Sequence, residues 1–242
     1  LNIYEEEIKR ELYFWKLMLL DSPNVLQRVS KRYQIKIHNL IPKRVNELIT
    51  SSVKGIVQTT IFGWDLIPKE KPKTNLSLEE RDKLANELLI KYKKIAAVEG
   101  AGTGFGGFIL GTVDFPALIA IKMKFLFELA HIYGYNTQIK SERVFLLYIF
   151  QLAFSEKGKR KALLDIVEDW DIYSIMSVDE IDWEKFQKDY RDSIDFRKML
   201  QIIPVVGAAV GIWANYSLLD ELGKSGINCY RVRVLNFQEK EE

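Results

Sequence analysis

The sequence predicts an all-α fold, a single multi-helix bundle with two glycine-rich apolar helices packed in its core. Three observations carry this. Apolar residues recur at three- and four-residue spacing along most of the 242-residue chain. No segment shows the strict alternation of a half-buried strand. Pairs of glycines four apart sit inside apolar stretches, as they do where helix backbones approach closely.

The elements follow in order. Ile8, Leu12, Trp15 and Leu19 mark an amphipathic helix that ends near Asp21-Ser22-Pro23. A second helix is expected from about Asn24 to Leu40, broken by Pro42, and a third from Val45 to Thr60. Pro68 to Asn75 is polar and proline-containing, hence a loop. Ser77-Leu78-Glu79-Glu80 reads as a capping box. The helix behind it sets Leu84, Leu88, Tyr92 and Ile95 on one face. A glycine block comes next, with six of the fourteen glycines between Gly100 and Gly111. Pro116 opens an apolar helix that Gly134 stops near Tyr133. Glu142 to Phe154 is a further apolar helix, and Lys157 to Lys161 reads as basic punctuation.

Asp165 to Asp195 carries eleven carboxylates against three basic residues and reads as a solvated, peripheral segment. The last apolar helix starts at Ile202-Ile203-Pro204 and passes through Gly207 and Gly211 to Leu222. Gly223 and Gly226 are expected to end it, leaving a short helix from Cys229 to Phe237. The chain is thus expected to be one domain. Its parts are N-terminal helices with a basic stretch (1–75), glycine-rich core helices (77–160), an acidic segment (161–200) and a C-terminal glycine-rich part (201–242).

Composition bounds the function. The net charge of +2 gives no global affinity for polyanions. One cysteine, Cys229, excludes an internal disulfide and fits a reducing compartment. Two distant histidines and one cysteine give no metal-ligand spacing, so no metal and no cofactor is expected. The acidic start, Glu5 to Glu7, is unlike a secretory signal, which implies a cytoplasmic location. No run reaches the roughly 18 apolar residues of a membrane span. No nucleic-acid reader module is recognisable.

The candidate functional residues each have two readings. Gly102-x-Gly104-x-x-Gly107 matches a dinucleotide fingerprint in letters only, because no strand precedes it. Gly102 with Gly106, Gly107 with Gly111, and Gly207 with Gly211 fit helix packing, or apolar segments that touch lipid. Asp114, two residues before Pro116, is a helix cap or a carboxylate in a dry site. Asn215 is a lone amide in an apolar helix. His131, near a helix C-terminus, suits the dipole as a cation. Between Asp21 and Glu47 there is no acid, while Arg28, Lys31, Arg32, Lys36, Lys43 and Arg44 are present. With Val25, Val29, Ile35 and Ile37 they form a basic amphipathic pattern suited to an anionic surface, or an ordinary solvated face.

The blocks Gly104 to Pro116 and Ile132-Tyr133-Gly134-Tyr135-Asn136 resemble a pattern of the EcsC family. So do Ile203-Pro204-Val205-Val206-Gly207-Ala208-Ala209-Val210-Gly211, Asn215-Tyr216 and Tyr230-Arg231-Val232-Arg233, and earlier Ile41-Pro42-Lys43-Arg44-Val45. The resemblance covers essentially the whole chain. It implies a bacterial protein encoded beside an ABC exporter, with no catalytic residues to carry over. The expectation is a non-enzymatic accessory at the cytoplasmic membrane face, with exporter subunits and an anionic surface as partners. The alternatives are an enzyme acting on a lipid or peptide, with Asp114 and His131 near its site, and a soluble helical scaffold.

Overall fold

The computed structural model describes residues 2–21, 55, 57–58, 60–61, 66–104, 115–177 and 208–241, with the backbone alone at 97–104, 115–119, 176–177, 208–215 and 237–241. Seven α-helices run through the described residues: α1 (Ile3–Asp21), α2 (Leu78–Gly104), α3 (Phe115–Ile132), α4 (Lys140–Phe154), α5 (Lys157–Glu168), α6 (Trp170–Ser177) and α7 (Ala208–Glu241). No strand occurs among those residues, and the fold is all-α.

Local chemistry sets the helix ends. At α1, Asn2 and Glu5 form a reciprocal capping box: Glu5 N–H donates to Asn2 Oδ1 and Asn2 N–H to Glu5 Oε2, each at 2.9 Å. The capping box at α2 is formed as well. Ser77 N–H donates to Glu80 Oε2 at 2.8 Å and Glu80 N–H to Ser77 Oγ at 3.3 Å. The Ser77 N–H and the Ser77 hydroxyl, which donates to the same Oε2 at 2.9 Å, hold the Glu80 carboxyl below its ordinary range. The helix opened by Phe115 and Pro116 ends in a Schellman motif. Tyr135 N–H bonds Ala130 O, Gly134 N–H bonds His131 O, and Gly134 sits at φ +92°. Pro116 therefore starts this helix, and Gly134 stops it, as the sequence suggests.

The core runs between α7 and the helices around it. It is built from α2, α3, α4 and α7, with α1 and α5 packed alongside. Phe125, Phe127, Phe145, Phe150, Trp170 and Tyr230 are among its fully enclosed side chains. The helix α4 is buried on every side from Glu142 to Phe154, which suits the apolar run Val144 to Phe150 at its centre.

Four expectations are corrected. Gly223 and Gly226 do not end a helix, and no separate short helix follows; α7 runs through both. They are contact points. A Cβ at Gly223 would stand 2.7 Å from Leu89 Cδ2, and one at Gly226 2.8 Å from Leu129 Cδ2. Close approach to α2 and α3 is what excludes a side chain there. Lys157 to Lys161 is not punctuation but opens α5. Arg160, buried, donates to Leu19 O at 2.9 Å, and Lys157 donates to Asp21 O at 2.8 Å. Carbonyls left over at the end of α1 are thus satisfied from another helix.

The acidic stretch does not begin at the periphery, because Val167 and Trp170 lie in the core. Trp170 packs against Phe145, Tyr148 and Tyr173. On α2, Ala85, Leu88, Leu89, Tyr92 and Ala96 make the buried face, whereas Ile95 is exposed. No helix among the described residues is long and apolar enough to cross a membrane.

Candidate functional site

Three clusters of enclosed polar side chains lie around the last turns of α3 and the C-terminal half of α7. The first is centred on Asp82 of α2, which is 2% exposed. Tyr133 donates its hydroxyl to Asp82 Oδ1, and Tyr4 of α1 donates to Oδ2 at 2.7 Å. Arg231 of α7 donates from Nε to the same Oδ2 at 3.0 Å and from Nη1 to Glu11 at 3.0 Å. Burial, reinforced by the Asp82 charge, pushes the Tyr133 hydroxyl well above its ordinary range, and Tyr4 rises for the same reasons. Burial opposes the Arg231 charge, but Asp82 and the surrounding oxygens outweigh it and carry its pKa up. Both tyrosines therefore stay protonated donors.

The second cluster lies across α7, because residues two apart on a helix point to nearly opposite sides. Arg233 grips Glu142 of α4 in a bidentate pair at 2.7 and 3.0 Å and reaches Asp171 at 3.4 Å. Its guanidinium lies 3.9 Å from the Tyr135 ring centroid and 4.5 Å from that of Phe145. Burial works against this charge too, and the Glu142 carboxylate overcomes it, raising the pKa. The two clusters are joined by stacked rings: Tyr230 lies 5.2 Å from Tyr133 and 5.3 Å from Tyr135.

The third cluster is built on His131. Nδ1–H donates to Glu70 O at 2.9 Å, which leaves Nε2 as the acceptor for the Thr137 hydroxyl at 2.9 Å and the Thr137 N–H at 3.4 Å. A backbone carbonyl can only accept and an N–H can only donate, so the tautomer is fixed. Burial lowers the His131 pKa. The expectation of a cationic His131 favoured by the helix dipole is therefore corrected: its partners and its burial favour the neutral ring. Nearby, Arg81 donates to Tyr133 O at 2.8 Å, and Arg143 donates from Nη1 to the carbonyls of Thr137 and Gln138. These cations fasten the 133–138 turn.

A shallow groove of about 260 Å³ runs between α2 and α7. Lys93, Asp220 and Lys224 line one part of it, Asn228 and Arg231 the other. Asp220 is shared by Lys93 at 2.5 Å and Lys224 at 2.7 Å. Among the described residues no group of three or more His, Cys, Asp or Glu side chains could hold a metal. Cys229 is fully buried, and its thiol is raised far above its ordinary range by that burial.

Of the residues singled out in the sequence, His131 and Pro116 have described places. Gly102 is helical in α2, and Gly211 and Asn215 are helical in α7. Asp114, Gly106, Gly107, Gly111, Gly207, Arg28, Lys31, Arg32, Lys36, Lys43 and Arg44 lie outside the described residues, as does most of the second and third expected helices. Sequence reasoning missed Asp82, Glu142 and Tyr4, whose partners are far away in the chain. It did quote Tyr133 to Tyr135 and Tyr230 to Arg233 as blocks of the resemblance, and the structure stacks those two blocks on each other.

Comparison with known proteins bears on the resemblance itself. The chain is 42% identical to "Protein EcsC" of Bacillus subtilis (strain 168) over 228 residues, 94% of this chain and 95% of that protein. It is 26% identical over 250 residues to the "Uncharacterized protein YdbA" of the same organism, covering 94% of this chain and 88% of that one. No solved structure matches. The profile of the EcsC protein family spans residues 6–235, which takes in the three clusters except for Tyr4, and the chain belongs to that family.

Proposed function

We propose that the chain works as a non-enzymatic accessory at the cytoplasmic face of the membrane, associated with an ABC exporter and touching the anionic bilayer surface. One observation carries the reading. The titratable groups at the centres of the three clusters, Asp82, Glu142 and His131, are each engaged by other groups of the chain. Asp82 is held by Arg231 and two tyrosines, Glu142 by Arg233, and both ring nitrogens of His131 by Glu70 and Thr137. An acid or base in use must present its proton to a substrate within hydrogen-bond reach. Groups bonded this way stiffen a framework that other molecules can grip. Family membership over nearly the whole chain supports the exporter association.

The test is fractionation of cells with and without the exporter's membrane subunit. The protein is expected in the membrane fraction when that subunit is present and depleted from it when the subunit is absent. A distribution that ignores the subunit removes the association. Asp114→Asn and His131→Ala are expected to alter stability or membrane association and to abolish no turnover. A measured reaction lost in either variant, with fold and abundance retained, overturns the non-enzymatic reading.

A further inference from the structure

The helix α1 is apolar on two sides. Ile8, Leu12 and Leu19 face the core. On the opposite side Tyr13, Phe14, Leu17 and Met18 are 62, 61, 43 and 59% exposed, at the i, i+1, i+4, i+5 spacing of one helical face. A surface helix normally sets polar residues there. The first turns of α1 do so, with Glu6, Glu7 and Arg10 exposed. The contiguous apolar stripe is in the C-terminal half, with Ile3, 89% exposed, isolated on the first turn of the same face.

We infer that this stripe is the element that lies in the anionic bilayer surface, a proposal that rests on the membrane-face reading above. The shape fits: a stripe on one convex helix meets a plane, whereas a protein partner would more often offer a groove or a pocket. The residue types fit, because tyrosine and phenylalanine beside leucine and methionine suit the boundary between headgroups and acyl chains. The extent fits as well. At roughly 200 Å² per large side chain the four expose about 450 Å², little more than half of the ~800 Å² per partner of a stable protein interface.

Charge supplies the rest. The helix that carries the stripe ends at Asp21, and the next acid in the chain is Glu47; six basic residues, Arg28 to Arg44, fall between. Covalent geometry alone keeps Arg28 within roughly 25 Å of Asp21. The apolar stripe is therefore tethered to a run of six cations, the two-signal arrangement that peripheral attachment needs.

Co-sedimentation of the full chain with phosphatidylcholine vesicles, with and without phosphatidylglycerol, tests this. Wild type is expected to pellet with the anionic vesicles, and more weakly as salt rises. Phe14→Glu with Leu17→Glu is expected to cost roughly tenfold or more in partitioning at an unchanged melting temperature. Both positions are solvent-exposed, so the variant keeps its core. Reversal of Arg28, Lys31, Arg32 and Lys36 is expected to weaken the same binding with the stripe intact. Three results overturn the inference: wild type that ignores anionic vesicles, a double variant that pellets like wild type, or a stripe whose substitution splits a dimer. The vesicles hold no exporter, so a failure here leaves the cell-fractionation result standing on its own.

Discussion

Arg231 and Arg233 stand two residues apart on α7, yet their surroundings differ in kind. Arg231 is one member of a shared net. It reaches Asp82 and Glu11, and Asp82 in turn serves Tyr4 and Tyr133. The net ties α1, α2 and α7 to the turn after α3. Arg233 instead makes one committed pair, two bonds to Glu142, under the Tyr135 and Phe145 rings, with Asp171 as a distant reserve. One arrangement spreads a buried charge over several elements, and the other concentrates it. The difference teaches that a short run such as Tyr-Arg-Val-Arg is two devices, because a helix sends its alternate residues to opposite sides.

The comparison can be broken first at its hub. Asp82→Ala leaves Arg231 with only Glu11 as a charged partner, beside Asn228, and leaves Tyr4 and Tyr133 without their acceptor. A loss of about 3–5 kcal/mol is expected in denaturant unfolding, the range for removing one partner of a buried pair. Glu142→Ala is expected at the lower end of that range or below, because Asp171 can take up part of the Arg233 charge. A larger loss for Glu142→Ala than for Asp82→Ala would reverse the ranking of net over pair.

Single hydroxyls sharpen it further. Tyr133→Phe removes a buried bond to a carboxylate and is expected to cost about 1.5–3 kcal/mol, while Tyr4→Phe, half-buried, is expected to cost about 1 kcal/mol or less. Equal costs would mean that Asp82 does not distinguish its two donors. The smallest effect belongs to His131, which sits beside the net and is neutral. Its folded pKa lies below its unfolded value, so the unfolded chain binds more protons between the two. This stabilisation is complete above about pH 6.5 and is lost progressively as pH falls from there through the lower folded pKa. In His131→Asn the unfolding midpoint should lose that part of its slope below pH 6.5. An unchanged slope would show that the ring does not titrate on unfolding.

How much of this was legible follows from range. The end of α1 near Asp21, the Ser77–Glu80 box, the loop at 68–75 and the stop at Gly134 were all readable. Each is written in neighbouring residues whose chemistry is local. The nets were not readable, since Asp82 and Arg231 are 149 positions apart and Glu142 and Arg233 are 91 apart. Periodicity places each on a helix and says nothing of a partner so distant. Trp170 shows a different failure. Averaging charge over Asp165 to Asp195 hid one large apolar side chain that the core takes in. Gly223 and Gly226 show a third: the same residue type marks helix ends and close crossings, and only Leu89 and Leu129 on other helices decide between them.

Those two glycines also set a limit on engineering this protein. A glycine inside a long helix is an obvious target for thermostabilisation, since alanine is better there by about 1 kcal/mol. At Gly223 and Gly226 the added methyl would press on leucines already packed in the core, and either those leucines must repack or α7 must roll to make room. Arg231 and Arg233 ride on that same helix, some two turns further along. A roll would carry one guanidinium off Asp82 and the other off Glu142 together. Where the leucines hold their places, the missing side chains thus act as an alignment key for α7, and with it for the aim of both arginines.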